Sequence, residues 1–265
     1  MPSLLDSVIS TAHAAGRCIV DISDSAQLAA VEKIGQGPVT AADRAADTLL
    51  REQLPALLPA AWLSEETADD PVRLSQSRVW IVDPLDGTKE FIAGLPEYAI
   101  SIGLVDAGRP VLAVIHQPAT GDTWWAESGK GAYLNGERIH ATEGRRLLAS
   151  RSETRGGEFA DLAEWEIVPI GSIALKLAYV ACGRGSVTIS RGPKWEWDVC
   201  AGALLVREAG GLCDDMFGTP MHFNKTHPKV RGVLAGAPAA AGQMLERLRL
   251  LGPSERMVRE GLEAS

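Results

Sequence analysis

Two aspartates, Asp83 and Asp86, stand three residues apart at the end of an apolar run in "VWIVDPLDGTKEF", residues 79–91. Like charges repel, and burying each without compensation costs on the order of several kcal/mol. A hard cation such as Mg²⁺ removes that cost, because it takes carboxylate, carbonyl and water oxygens and shares phosphate oxygens. Pro84 stiffens a turn between the acids, so both can point into one cavity, and the backbone carbonyl of Leu85 offers a further oxygen. Gly87 and Thr88 lead into "KEFIAG", which reads as a short helix whose free N–H groups suit phosphate. Acids for metal and amides for phosphate, all within 83–88, are the parts of a metal-dependent phosphatase.

Other acids occupy similar settings. Glu65 and Glu66 follow a short apolar segment, and Asp198 starts the helix "WDVCAG". Asp43 lies in the first turn of another helix, where Thr40-x-x-Asp43 is a capping-box pattern. Each has a plainer reading. Asp43 is then only a cap, Glu65 and Glu66 a solvated loop, Asp198 a partner of its helix dipole, and Asp83 with Asp86 shapers of a turn. Their shared position beside apolar strands and helix starts favours one common site.

The elements that must hold these acids fall into two groups. Residues 3–23 form an amphipathic helix capped by Ser3, with Leu4, Val8, Ala12, Ala15, Ile19 and Ile22 on one face. A second helix starts near Thr40 and stops at Pro55 and Pro59, and Trp62-Leu63 is a short strand. Residues 98–140 read as an antiparallel meander, punctuated by Ala107-Gly108, Thr120-Gly121, Gly129 and Asn135-Gly136. From about 146 strand and helix alternate. "RLLAS" is a strand, 157–164 a weak helix, "EIVPI" a strand, and "SIALKLAYVAC" a helix opened by Ser172 and closed by Gly183. "SVTIS" and "GVLAGA" are strands, "WDVCAGALLVREAGG" and 239–251 are helices, and the last dozen residues are frayed or partly helical. The fold class is α/β (α+β). An N-terminal α+β lobe, 1–145, carries most of the candidate ligands, and a smaller alternating α/β lobe, 146–265, completes the site.

Composition narrows the function. The 265 residues are 46% apolar and 23% charged, with net charge −8. No apolar run approaches the ~18 residues of a membrane span, and the first residues lack a signal-peptide pattern. Cys18, Cys182, Cys200 and Cys213 form no C-x-x-C pair and read as reduced thiols of a cytoplasmic protein. Scattered Lys and Arg argue against a nucleic-acid polymer. His222 and His227 have no zinc-ligand spacing. A small anionic substrate approached through a bound cation fits this charge balance.

"WIVDPLDGTKEF", with "LSEE" upstream and "WDVCAGALLVREAGG" downstream, resembles the inositol monophosphatase superfamily from "GPVTAAD" to "GVLAGAP". The resemblance implies a layered α-β-α-β-α sandwich and Mg²⁺-dependent, lithium-sensitive phosphatase activity with two or three ions, Mn²⁺ being a substitute. It implies that Glu65 is a metal ligand that orients the attacking water, and that Asp83 bridges two metals. The Leu85 carbonyl would bind the first metal, Asp86 and Asp198 the second, and Asp43 would lie near an optional third. Thr88 would polarise the water with Glu65, and the amides of Gly87 and Thr88 would hold the phosphate, with no phosphorylated residue. A homodimer is a further implication.

Within that superfamily "DPLDGTKEF" is most similar to the 3′(2′),5′-bisphosphate nucleotidases, which remove the 3′-phosphate of adenosine 3′,5′-bisphosphate, a by-product of sulfate assimilation. Lys89-Glu90-Phe91 is the discriminating stretch. "SRSE" at 150–153 resembles that subgroup's "SRSH", with Glu153 in place of His. Ser172, Lys176 and Asp198 are expected at the substrate. Arg151, Lys176, Arg191 and Lys194 are the cations available for a second phosphate, and Trp195 and Trp197 could stack on adenine. The alternatives are an inositol, histidinol or other polyol phosphate as substrate, and a silent nucleotide- or phosphate-binding regulator. Haloacid-dehalogenase phosphatases use D-x-D-G-T with a nucleophilic Asp, whereas two residues separate the acids here.

Overall fold

The computed structural model describes residues 2–24, 31–33, 37–157, 159 and 162–262. Helix α1 (Leu4–Asp24) precedes a small hairpin of β1 (Val31–Lys33) and β2 (Gly37–Val39). Helix α2 (Ala41–Leu57) starts at the expected capping box, with Thr40 and Asp43 each bonding the other's backbone N–H. Pro55 does not stop α2 but lies inside its last turn, and the helix ends two residues later.

Next come β3 (Ala61–Ser64), a 3₁₀ turn at Pro71–Ser75, β4 (Arg78–Asp86) and short helix α3 (Thr88–Ile92). The meander follows as β5 (Ala99–Asp106), β6 (Arg109–Gln117), β7 (Asp122–Glu127), β8 (Gly131–Leu134) and β9 (Glu137–Ile139). Together β3 to β9 make a seven-stranded sheet in sequence order. Its neighbours are antiparallel except β3 and β4, which run parallel. Alternation along β4 covers both faces, with Trp80 and Val82 on one side and Val79 and Ile81 on the other, all fully buried.

The second half supplies β10 (Arg146–Ala149), α4 (Arg151–Arg155), β11 (Glu166–Pro169), α5 (Ile173–Ala181), β12 (Val187–Ser190) and β13 (Lys194–Trp195). It closes with α6 (Glu196–Glu208), β14 (Leu212–Asp214), β15 (Lys229–Val230), β16 (Val233–Gly236), α7 (Pro238–Leu251) and α8 (Glu255–Arg259). A mixed five-stranded sheet has the order β11-β10-β12-β16-β14, and β13 pairs with β15 apart from it. No helix spans 157–164 in its described part; positions 158, 160 and 161 lie outside the described residues. The helical turn sits earlier, at α4, because Ser150 and Glu153 close a capping box: Glu153 N–H donates to Ser150 Oγ (3.2 Å), and Ser150 N–H to Glu153 Oε2 (3.1 Å).

Three apolar clusters stack the layers. Val8, Ala12, Ala15 and Ile19 of α1, with Ala46 and Leu50 of α2, pack against Trp80, Ile102 and Val114 of the large sheet. On its other face, Ile81, Ile115 and Trp124 meet α5 and α6, which also touch Leu148, Val233 and Ala235 of the small sheet. Leu147, Ile189 and Leu234 face outward onto Met244 and Leu248 of α7 and Met257 of α8. The order is therefore α-β-α-β-α. Among the described residues no helix is long and apolar enough to cross a membrane. All four cysteines are free thiols.

Candidate active site

Strand pairing explains how the acids meet. β3 runs parallel to β4 with Ser64 opposite Val82, so the next residues along, Glu65 and Asp83, lie side by side. Beyond Val82 the β3 side of β4 is unpaired, which is where Pro84, lacking an N–H, fits. β4 ends on Asp86, so both aspartates close the strand as expected. It reaches Asp86 through a bulge: Asp83 pairs with Ser101 and Asp86 with Ala99, three steps against two. Residues an odd number apart in a regular strand face opposite sides. The extra residue rephases Asp86 towards the acids that Asp83 faces.

Oxygen atoms of Glu65, Asp83 and Asp198 lie within 4.8 Å of one another. Asp198 arrives from the first turn of α6, where its Oδ2 accepts the Trp195 N–H at 3.0 Å. Asp83 is 1% exposed. Burial first, then the charges of Glu65, Asp86 and Asp198, raise its carboxyl well above the ordinary 3.8. Burial and Asp86 likewise lift Asp198 to about 7. Asp83 Oδ1 accepts the Leu85 N–H (3.0 Å), and among the described residues no donor reaches its other oxygen. Carboxylates crowded together, with an oxygen left over, are a donor set that fits a hard divalent ion.

Asp86 stands at the edge of this trio. Its Oδ2 accepts from Ser172 Oγ (2.5 Å) and from the Ala174 N–H (2.6 Å), at the N-terminus of α5. Ser172, expected at the substrate, is instead fully buried and spends its hydroxyl on Asp86. Lys176, one turn on, is 1% exposed and also does not line the pocket. Burial lowers it to about 8, and Glu153, Asp86 and Glu90 oppose that shift. Both residues support the site from behind because α5 points its N-terminus, not its side, at the acids.

Asp43 lies outside the carboxylate trio. Its Oδ2 accepts from Thr40 N (2.8 Å) and Thr40 Oγ1 (2.5 Å), and its Oδ1 faces Thr88 Oγ1 at 3.0 Å. Thr88 Oγ1 is also 3.1 Å from the Leu85 carbonyl. One hydroxyl proton faces two acceptors, so a lone pair of the Thr88 oxygen is left for a water. Gly87, at φ +97°, turns the chain from β4 into α3. A Cβ there would lie 2.5 Å from the Glu97 carbonyl oxygen, so only glycine fits.

The pocket over these groups measures about 260 Å³ and is lined by Glu65, Leu85, Asp86, Gly87, Thr88 and Asp198, together with Glu90, Lys194 and Arg256. A larger cavity of about 850 Å³ touches Glu65 and Trp195 but lies against the 64–69 loop and residues 226–229, away from Asp83, Asp86 and Thr88. Trp195 and Trp197 stack on each other at 4.7 Å, and Lys229 Nζ sits 4.4 Å from the Trp195 ring. Both indoles also line the larger cavity.

Several supporting residues gave no sequence signal. Buried Asp47 accepts from Ser64 Oγ (2.8 Å) and Thr67 Oγ1 (3.1 Å), pinning both ends of the turn that carries Glu65. Glu97 takes both terminal nitrogens of Arg151 and the Gly171 N–H (2.8 Å). Glu196 accepts the Asn224 N–H (2.6 Å), while buried Arg73 donates to Asn224 Oδ1 (2.7 Å) and to Asp69. Apart from Arg73–Asp69, these contacts join residues from 17 to 151 positions apart, beyond the reach of any local pattern.

Residues 3–251 match the model of the inositol monophosphatase family. The 3′(2′),5′-bisphosphate nucleotidase CysQ of Escherichia coli O157:H7 is 35% identical over 238 residues, covering 83% of this chain and 94% of that protein. The fructose-1,6-bisphosphatase/inositol-1-monophosphatase of Thermotoga maritima is also 35% identical, over 191 residues, 68% of this chain and 72% of that one. Among solved structures, the extragenic suppressor protein suhB from Bartonella henselae matches with a TM-score of 0.82 at 29% identity, covering 94% of this chain and 99% of that chain.

Proposed function

Because the chain belongs to the inositol monophosphatase family, we propose that it is a Mg²⁺-dependent phosphatase that removes the 3′-phosphate of adenosine 3′,5′-bisphosphate. The convergence of Glu65, Asp83 and Asp198 within 4.8 Å is the observation that carries the chemistry. Those carboxylates, with Asp86 and the Leu85 carbonyl, would hold two or three ions, Mn²⁺ being a substitute. Bound ions supply charge to the phosphoryl oxygens and lower the pKa of water.

The chain's own groups do the rest. The Thr88 oxygen, its proton directed to Asp43 or Leu85, accepts a hydrogen bond from the attacking water. Glu65 takes that water's proton. The N–H groups of Gly87 and Thr88 hold the phosphate while the P–O3′ bond breaks; a solvent water gives O3′ its proton, Glu65 returns its own to solvent, and adenosine 5′-monophosphate and phosphate leave. Asp43 and Ser172 act one step back, fixing Thr88 and Asp86.

Lys89-Glu90-Phe91 and the similarity to CysQ support the nucleotide as substrate. An equal identity to the Thermotoga maritima protein supports a polyol phosphate as the second reading. The same reading makes the protein a cytoplasmic homodimer with small phosphorylated substrates. Phosphate release should be compared for adenosine 3′,5′-bisphosphate, inositol 1-phosphate and histidinol phosphate, with Mg²⁺ and again with added Li⁺. The highest kcat/KM on the bisphosphate, and inhibition by Li⁺, are expected. A higher value on inositol 1-phosphate or histidinol phosphate overturns the nucleotide assignment, and no release from any of them overturns the enzyme.

A further inference from the structure

Three cations, Lys89, Lys194 and Arg256, line the active-site pocket, and the structure shows which of the chain's candidate cations are available for another anion. Arg151 is committed to Glu97. Arg191 donates to the carbonyls of Leu251, Gly252 and Pro253. Lys176 is buried behind the wall. Lys89 follows Thr88 directly and belongs to the end that holds the reacting phosphate. Lys194 and Arg256 remain, and both line the pocket.

Arg256 comes from the last helix, and its position is built. Met257 beside it is fully buried, and Ser254 caps α8 by accepting the Met257 N–H at 3.3 Å. The turn before α8 is gripped by Arg191, whose own carbonyl accepts the Ser254 N–H. Arg256 Nε pairs with Glu260 at 3.0 Å, and Glu260 also pairs with Lys229, the lysine over Trp195. That arrangement leaves the two terminal guanidinium nitrogens for a ligand. Among the described residues Lys194 has no ion pair.

Lys194 enters the pocket from β13 and Arg256 from α8, both from the second half of the chain. Gly87 and Thr88, whose amides hold the reacting phosphate in the reading above, enter it from the turn between β4 and α3.

We propose that Lys194 of β13 and Arg256 of α8 form an anion subsite that reads a second phosphate on the leaving group. This rests on the phosphatase reading above and extends it to a residue pair. A planar guanidinium can take two phosphate oxygens at once, with lysine adding a point charge. The C-terminal helix thereby becomes part of substrate selection.

The test compares Arg256→Ala, Arg256→Lys and Lys194→Ala with the wild type, each checked by thermal melting. The ratio of kcat/KM for adenosine 3′,5′-bisphosphate to that for adenosine 3′-monophosphate should fall about tenfold in each alanine variant, through KM. It should recover partly in Arg256→Lys. Calorimetric titration with adenosine 5′-monophosphate and with adenosine reads the subsite without turnover. The wild type should prefer the 5′-monophosphate, and the alanine variants should lose about tenfold of that preference. An unchanged ratio, or a wild type that binds both ligands equally, overturns the subsite. Absence of bisphosphate hydrolysis, with the titration preference present and lost in the variants, overturns the substrate reading and leaves the subsite standing.

Discussion

Replacing Asp83 by asparagine should stabilise the metal-free protein while destroying its activity. At the 4.8 Å that bounds the trio, and an effective dielectric of about 20, each neighbouring carboxylate costs an ionised Asp83 about 3.5 kcal/mol. Glu65 and Asp198 together thus impose about 7 kcal/mol, before desolvation. Protonation limits the damage. At pH 7, neutralising a carboxyl whose ordinary pKa is 3.8 costs about 4 kcal/mol. The cheaper route wins, so the metal-free site holds a proton and the penalty is capped near 4 kcal/mol. The neutral amide of the Asp83→Asn variant carries no such penalty. Its gain of about 2–4 kcal/mol in EDTA corresponds to about 5–10 °C in Tm for a chain of this size. The sign with pH follows from the raised pKa: the folded state binds the extra proton, so metal-free wild type loses stability as pH rises above 3.8, and the gap to the variant closes towards pH 4. Mg²⁺ should raise the Tm of the wild type and hardly that of the variant, and kcat should fall at least about a hundredfold. Calorimetric melts of both proteins in EDTA and in Mg²⁺ at pH 4–8 check this. An Asp83→Asn protein that melts at or below the wild type in EDTA at pH 7, or that keeps the full Mg²⁺ increment, refutes the reasoning.

Thr88→Val should lower kcat by about 10²–10³ with less change in KM, and Asp43→Asn should do the same through Thr88, with far less than additive loss in the double variant; steady-state kinetics read this directly. Gly87→Ala forces φ +97° on a residue with a Cβ and drives that atom against the Glu97 carbonyl; a loss of at least about 2 kcal/mol is expected in urea titrations. His116, buried against His13, is pushed down to about 4 by desolvation. Between pH 6.5 and 4 the unfolded chain therefore takes the proton the folded chain refuses, and up to about 3 kcal/mol is lost as pH falls. His116→Gln should flatten that part of the Tm–pH curve relative to the wild type.

Local chemistry made much of the molecule legible. The α1 face, the Thr40–Asp43 capping box, the Asn135-Gly136 hairpin and the Ser172 cap rest on neighbours a few residues apart, and each is found in place. Two local signals compete with others just as local: Pro55 lies within the last turn of α2, which ends two residues later, and the turn after "RLLAS" forms at the Ser150–Glu153 box. The resemblance of "GSIALK" puts Ser172 and Lys176 at the substrate, but the direction in which α5 points, which buries both, is decided by packing.

The sequence by itself determined which groups are present: carboxylates after apolar strands, a glycine where the backbone turns left-handed, a threonine one step on. Only the tertiary structure decided that they meet. Parallel registry between β3 and β4 sets Glu65 beside Asp83, one extra residue in β4 turns Asp86 inward, and the packing of α6 under the large sheet brings Asp198 across more than a hundred residues. Arg256 enters the pocket the same way, from a helix seated by the buried Met257. Charges that repel cannot be drawn together by their own sequence; burial of the apolar layers around them supplies the free energy that holds them there.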